Sequence, residues 1–356
     1  MKHSSLHLRM PAALGIFFLI IAFLGPSCQQ PSKADSASKA TAEQTPTPDT
    51  PQAQHKLSAD QTHSKFSSKI PPVLTVASGA IIEAQTEEAT DGQLNLESTP
   101  EDLAKLTFDP IHPLTGPIFV EGAEPGDVLK VTLHKVELGD WGWTAILPGF
   151  GFLADQFTEP YLKTYALGKD ATHVDFTDKI KIPLRPFPGV MGVAPAAEEL
   201  LSTIPPRANG GNMDDPHLVE GSIAYFPVFV EGALFSIGDA HACQGMGEVC
   251  GTAIEIPSRI VFELELIKGK RSIREPEYET DEVYAVTAFG TTIDEAAKKA
   301  TGYMVDYLVA EHGLSKNDAY ALCSLAGDLQ IAEVVDAPNM LVAMHLSKEV
   351  LGMKEK

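Results

Sequence analysis

The chain is poor in basic residues: 27 Lys and Arg stand against 48 Asp and Glu, giving a net charge of −21 over 356 residues. Nucleic acid and anionic membrane surfaces are gripped by clustered Lys and Arg. No such cluster is present, so both kinds of partner are excluded. Cysteine is scarce, with four in all. If Cys28 is consumed by a lipid, then Cys243, Cys250 and Cys323 remain, an odd number that cannot form a disulfide framework. Free buried thiols are expected, with a Cys243–Cys250 bridge as the alternative. The apolar run from Leu14 to Leu24 is too short to cross a bilayer.

That run has the makings of an address. Lys2, His7 and Arg9 precede it, and it ends in Leu24-Gly-Pro-Ser-Cys28. Residues 1–27 read as a bacterial lipoprotein signal with Cys28 as the lipidated new N-terminus. An ordinary secretory peptide or a short membrane anchor is the competing reading. Residues 28–69 are rich in Ser, Thr, Ala, Gln and Pro with no periodic apolar face, so they read as a disordered tether. The expected location is a bacterial cell envelope, lipid-anchored or periplasmic.

The body, 70–356, reads as strand for most of its length. Ile260 to Ile267 alternates, with Phe262, Leu264 and Leu266 on one face and Glu263 and Glu265 on the other. Val128 to Val136 follows the turn signal Pro125-Gly-Asp127. Many strands with Pro and Gly between them argue for a β-sandwich or barrel. The segment Pro117-Ile-Phe-Val-Glu-Gly-Ala123 returns as Pro227-Val-Phe-Val-Glu-Gly-Ala233. The repeat predicts two related β-halves, and it places Glu121 and Glu231 in one shared structural role. From about 271 the pattern turns α+β. Thr292 and Glu295 form a capping box for a helix ending at Gly313, Ser315 opens a second helix closed by Gly327, and two strands follow.

Chemistry concentrates in Ile237-Gly-Asp-Ala-His-Ala-Cys-Gln-Gly-Met-Gly-Glu-Val-Cys-Gly251, preceded by Asn209-Gly-Gly-Asn-Met-Asp-Asp215. Carboxylates and imidazole inside glycine-rich turns are the usual ligands of a hard or borderline cation. Asp239 and His241 lie two apart on a strand, hence on one face, while Ala240 points away. Asp214, Asp239 and His241 are the candidate metal ligands; His112 is either a further ligand brought in from the other β-half or an exposed loop histidine. His173, His217 and His345 have no such context in the sequence.

These two segments resemble the NGGNxD and GDxHAxQGxGE elements of the acetamidase/formamidase family. His112 to Leu129 is similar to that family's TGPxxVEGAEPGDxL stretch, and Leu325 to Asp336 to its C-terminal strand. The elements fall in the same order from about Thr75 to Ser347. The resemblance implies a jelly-roll-like sandwich or barrel body with an α/β C-terminal portion. It also implies a homo-oligomer and hydrolysis of a short, neutral, linear amide of the formamide or acetamide type. Amide hydrolysis needs an activated nucleophile, a stabilised oxyanion and a protonated leaving nitrogen. A divalent metal, zinc with calcium as a further candidate, would supply the first two. His241 and Glu248 then stand as catalytic residues, Glu248 as the proton shuttle. Asn209, Asn212 and Gln244 stand as substrate-binding amides. Trp141-Gly-Trp143 and Pro148-Gly-Phe-Gly-Phe152 match an aromatic part of the family pattern and are candidate walls of a small apolar pocket. One position departs: Met246 stands where the family commonly has Asp. That substitution is the feature favouring the alternative, a non-catalytic lipoprotein binding a small ligand on the same fold.

Overall fold

In a computed structural model, residues 50–269 and 272–353 are described; the expected leader, Cys28 and the expected tether up to residue 49 lie outside them. The chain builds two nine-stranded sheets packed face to face, and both contribute to one apolar core. The first sheet runs, in spatial order, His55–Leu57, Ala80–Thr86, Ser258–Ile267, Val128–Leu138, Ile223–Pro227, Glu277–Glu279, Val283–Gly290, Met340–Ser347 and Gly327–Glu333. The second is centred on Phe235–His241, flanked by Phe187–Gly192, Leu114–Val120 and Glu255–Ile256.

The period-two pattern sets the faces. Along Ser258–Ile267, Ile260, Phe262 and Leu264 are buried against Leu133, Ile118 and Phe235, whereas Glu263 and Glu265 turn outward to meet His134 at 3.1 Å and Lys130 at 2.5 Å. The expected mainly β body therefore stands.

The repeated heptapeptide marks where the chain changes sheet. The first copy leaves Leu114–Val120 in the second sheet and feeds Val128–Leu138 in the first; the second copy leaves Ile223–Pro227 in the first sheet and feeds Phe235–His241 in the second. The copies bond reciprocally, Val120 N–H to the Gly232 carbonyl and Gly232 N–H to the Ala123 carbonyl, both 2.9 Å. Ala123 and Ala233 are fully buried while Glu121 and Glu231 are exposed, so the repeat is architectural.

The C-terminal part is not an appendage, since its strands complete the first sheet. Helix α1 (Ile293–His312) and helix α2 (Lys316–Ala326) cover that end, with Ala300, Met304 and Leu308 packed on Val286, Val342 and Met344. The Thr292 hydroxyl accepts from the Glu295 N–H at 3.1 Å, and Gly313 ends α1 at φ 65°. The Glu295 carboxylate caps the Thr291 N–H at 3.0 Å, one residue before the position a capping box uses.

Part of the stretch expected to be a disordered tether is ordered. Residues 55–66 form short strands, Leu57 and Phe66 are buried, and the His63 ring meets the Ser236 hydroxyl at 2.8 Å. Two apolar residues nine apart carry no period, yet they plug into the sandwich edge. This corrects the expectation that disorder extends to Lys69.

Candidate active site

The site sits at one end of the sandwich, where Phe235–His241 runs between Phe187–Gly192 and Glu255–Ile256. Three of its acids adopt left-handed backbone: Asp214 at φ 43°, Asp239 at 50° and Glu248 at 45°. Side-chain-bearing residues avoid that region at a cost of about 1–3 kcal/mol, and such strain persists where the surroundings enforce it. Beneath them lies Gly189. A Cβ there would sit 2.4 Å from Asp214 Oδ1 and 2.6 Å from His241 Cε1, so only glycine leaves room.

His241 is fixed from one side. The Gln244 amide nitrogen donates to the Asp214 carbonyl at 2.7 Å, which turns the Gln244 oxygen toward His241 Nδ1 at 2.9 Å. Nδ1 therefore carries the proton and Nε2 is the free nitrogen. Nε2 faces Glu255 Oε2 at 3.1 Å and Asp239 Oδ2 at 3.6 Å. His112 closes the group, with Nδ1 3.7 Å from Asp239 Oδ2 and its backbone N–H held by the Thr203 hydroxyl at 3.1 Å.

Buried polar atoms normally find partners. Here His112 Nδ1, Asn212 Oδ1, both Asp214 carboxyl oxygens, Asp239 Oδ1 and Glu255 Oε2 have none. With Nε2 of His241, this set of His and carboxylate donors fits a small divalent cation, and the sharper fit is Asp239–His241–Glu255 with His112 beside it. The group Asp214–His241–Glu248 is also within reach of one ion, but His241 Nδ1 is already spent on Gln244. A contrasting cluster lies nearby. Asp215 takes His217 Nδ1 at 2.9 Å and the Tyr278 hydroxyl at 2.7 Å, and that hydroxyl meets His345 Nε2 at 2.6 Å, so its facing atoms are already paired.

Electrostatics agree with the donor count. Burial pushes Asp214 up to about 8 and Glu255 up to about 7. Burial, with Asp214 close by, drives Glu248 and Asp336 well above the usual carboxylate range. Burial opposes a charge on His241 but Glu255 and Asp239 outweigh it and raise its pKa well above normal. Burial also opposes ionised Asp239, yet His112 and His241 hold it below its ordinary value. The pocket is crowded with acids, and no Lys or Arg lines it.

The cavity above this floor measures about 60 Å³, and one water takes roughly 10–15 Å³ of such space. Asn212, Asp214, Asp239, Glu248, Glu255, Asp336 and His112 form its polar side. Trp143, Leu106, Phe108, Ile111, Leu147 and Phe150 form the apolar side. Trp143 is set by Glu88, a buried carboxylate that takes the indole N–H at 2.7 Å and the Thr90 N–H at 2.9 Å.

Two of the amides expected at the substrate are engaged elsewhere. Asn209 does not reach the cavity; its amide donates to the Val193 carbonyl at 2.7 Å and holds the end of the glycine-rich hairpin. Gln244 spends both ends of its amide on His241 and Asp214, so it positions those residues and has nothing left for substrate. Of the expected aromatic walls, Trp143 and Phe150 line the cavity, whereas Trp141 does not and Phe152 is exposed. Met246 packs against the sandwich core rather than into the cavity, so an acid at that position would not join the acid-rich floor. Cys243, Cys250 and Cys323 are free thiols.

Glu255 and Asp336 were not singled out from sequence. Asp336 sits after the edge strand Gly327–Glu333 and accepts from the Asn212 amide at 2.6 Å. Glu255 begins a two-residue strand opposite His241, the only signal of its place being that pairing.

The model of the Acetamidase/Formamidase family matches residues 49–202 and 196–353. An acetamidase of Mycolicibacterium smegmatis is 30% identical over 58% of this chain and 66% of its own length. A formamidase of Methylophilus methylotrophus is 26% identical over 82% of this chain and 89% of its own. Among solved structures, a recombinant predicted acetamidase/formamidase from Thermoanaerobacter tengcongensis superposes with a TM-score of 0.79 at 35% identity, covering 85% of this chain and 99% of the other. Matched from end to end of its described body and in its fold, the chain belongs to the acetamidase/formamidase family and is an amidohydrolase of that type.

Proposed function

We propose that the protein hydrolyses a short, neutral, linear primary amide to a carboxylate and ammonia, with a divalent cation at Asp239, His241, Glu255 and His112. One observation carries this reading. The unpartnered buried atoms facing the cavity are carboxylate and amide oxygens and one imidazole nitrogen, so the site asks for a cation and for N–H donors. A primary carboxamide brings two N–H bonds and no negative charge. A bound divalent ion would lower the pKa of water toward about 7 and polarise the amide carbonyl.

The chain's own groups do the rest. Asn212, oriented by its bond to Asp336, presents Oδ1 to an amide N–H. Glu248, kept protonated by burial, faces the cavity and can hand its proton to the departing nitrogen. Gln244 holds His241 in one tautomer. The apolar wall limits water around the reacting carbonyl. A cavity of this size takes a small amide and excludes a peptide chain. Zinc is the ion best suited to two imidazoles and two carboxylates; calcium prefers an all-oxygen shell.

The test is ammonia release from formamide and acetamide before and after chelation, and after metal is restored. His241→Ala should lose both metal and turnover with far-UV circular dichroism unchanged. Release that survives both chelation and His241→Ala would show that a side-chain nucleophile does the chemistry. For location, the leader through Cys28 supports a lipid anchor in a bacterial envelope. Fractionation of cells expressing Cys28→Ala checks that, and an unchanged membrane fraction refutes it.

A further inference from the structure

We infer that Phe150, with Phe108 beside it, is the specificity-determining wall for the acyl group, and that the preferred substrate is an aliphatic amide with an apolar chain of about three or four carbons. This rests on the amide-hydrolase reading above and adds the identity of the acyl group.

The cavity is two-faced. Its floor is carboxylate and imidazole, while its mouth is Leu106, Phe108, Leu147 and Phe150. A substrate with one polar end can enter in one direction only, its carboxamide toward Asn212 and its chain against the rings. The rings are prepared for this. Phe108 and Phe150 lie stacked with centroids 6.2 Å apart and 23° between their planes. Phe108 nonetheless remains 49% exposed, so apolar surface at the mouth is left for a ligand to cover. Formamide has no carbon chain to touch these rings.

Phe150 is also tied to the proton-transfer loop. The Phe152 N–H donates to the Val249 carbonyl at 2.9 Å, one residue past Glu248. The two loops meet at glycines: a Cβ on Gly151 would lie 2.8 Å from the Cys250 carbonyl oxygen, and one on Gly251 3.0 Å from Phe150 Cδ1. The residue that contacts the acyl chain and the residue that moves the proton thus sit on segments clipped together. Filling the wall and placing Glu248 are mechanically connected.

The experiment measures kcat/KM for formamide, acetamide, propionamide and butyramide with divalent metal present. Each methylene buried against the wall should raise kcat/KM by about fourfold. Phe150→Ala should flatten that rise, Phe150→Leu should restore part of it, and Phe108→Ala should flatten it less. A defect that was merely structural would lower all four amides together and leave the profile steep. Turnover with a flat or falling profile in the unsubstituted protein overturns this inference alone. A steep profile that survives Phe150→Ala also overturns it. No turnover of any amide overturns the amide-hydrolase reading itself.

Discussion

Gly189→Ala adds one methyl group and should disable the site without unfolding the protein. The new carbon would fall 2.4 Å from Asp214 Oδ1, 2.6 Å from His241 Cε1 and 2.9 Å from the Asp239 carbonyl oxygen. Carbon reaches comfortable contact at about 3.5–4.0 Å, so relief requires a displacement of about 1 Å. The Asp239 carbonyl belongs to the central strand Phe235–His241 and cannot yield cheaply, which leaves Asp214 and His241 to move. Overpacking of this kind costs about 1–3 kcal/mol of stability, and with unfolding entropy near 2.1 cal/mol/K per residue it lowers Tm by about 2–5 °C in a body this size. A 1 Å misplacement of catalytic groups costs turnover on the order of a hundredfold. The assay pairs a thermal melt with ammonia release from acetamide, using Gly245→Ala as the control because a Cβ there meets nothing within 4 Å. Wild-type turnover in Gly189→Ala would refute the argument, for it would mean that Asp214 and His241 are not where the chemistry occurs.

Three further outcomes are expected. Burial lowers the His63 pKa to about 4, whereas an unfolded His titrates near 6.5. The unfolded chain therefore binds the proton first, so the His63 contribution to stability is full above pH 6.5 and falls by up to about 3 kcal/mol as pH drops to 4. Urea denaturation across that range should show the loss, and His63→Gln should remove it. A chain starting at Lys69 forfeits buried Leu57 and Phe66 and the bond from His63 to Ser236; it should lose about 5 kcal/mol or more, read as a collapsed melting transition. Glu248→Gln should lower kcat by about 10²-fold with little change in KM, and an unchanged kcat would remove Glu248 from the proton pathway.

The sequence by itself carried the strand alternation of Ser258–Ile267, the helix limits at Thr292 and Gly313, and the repeat that turns out to steer the chain between sheets. These are local signals: a period of two, a cap, a turn. It also carried Asp239 and His241 as a pair, and their side chains do meet at 3.6 Å, although Asp239 takes left-handed backbone rather than the extended form that a strand period assumes. What lay beyond it depends on distant segments meeting. Glu255, Asp336 and Gly189 come from three different strands or turns, and no local spacing ties any of them to Asp239 and His241. The role of Gln244 was decided by a hydrogen bond to a carbonyl thirty residues away, and that of Asn209 by a bond to Val193. Even the order of residues 55–66 came from packing, since short strands without a period gain stability only from the sheet edge they join. Local pattern specifies which elements form; which side chains share a cavity is set by how the two sheets are stacked.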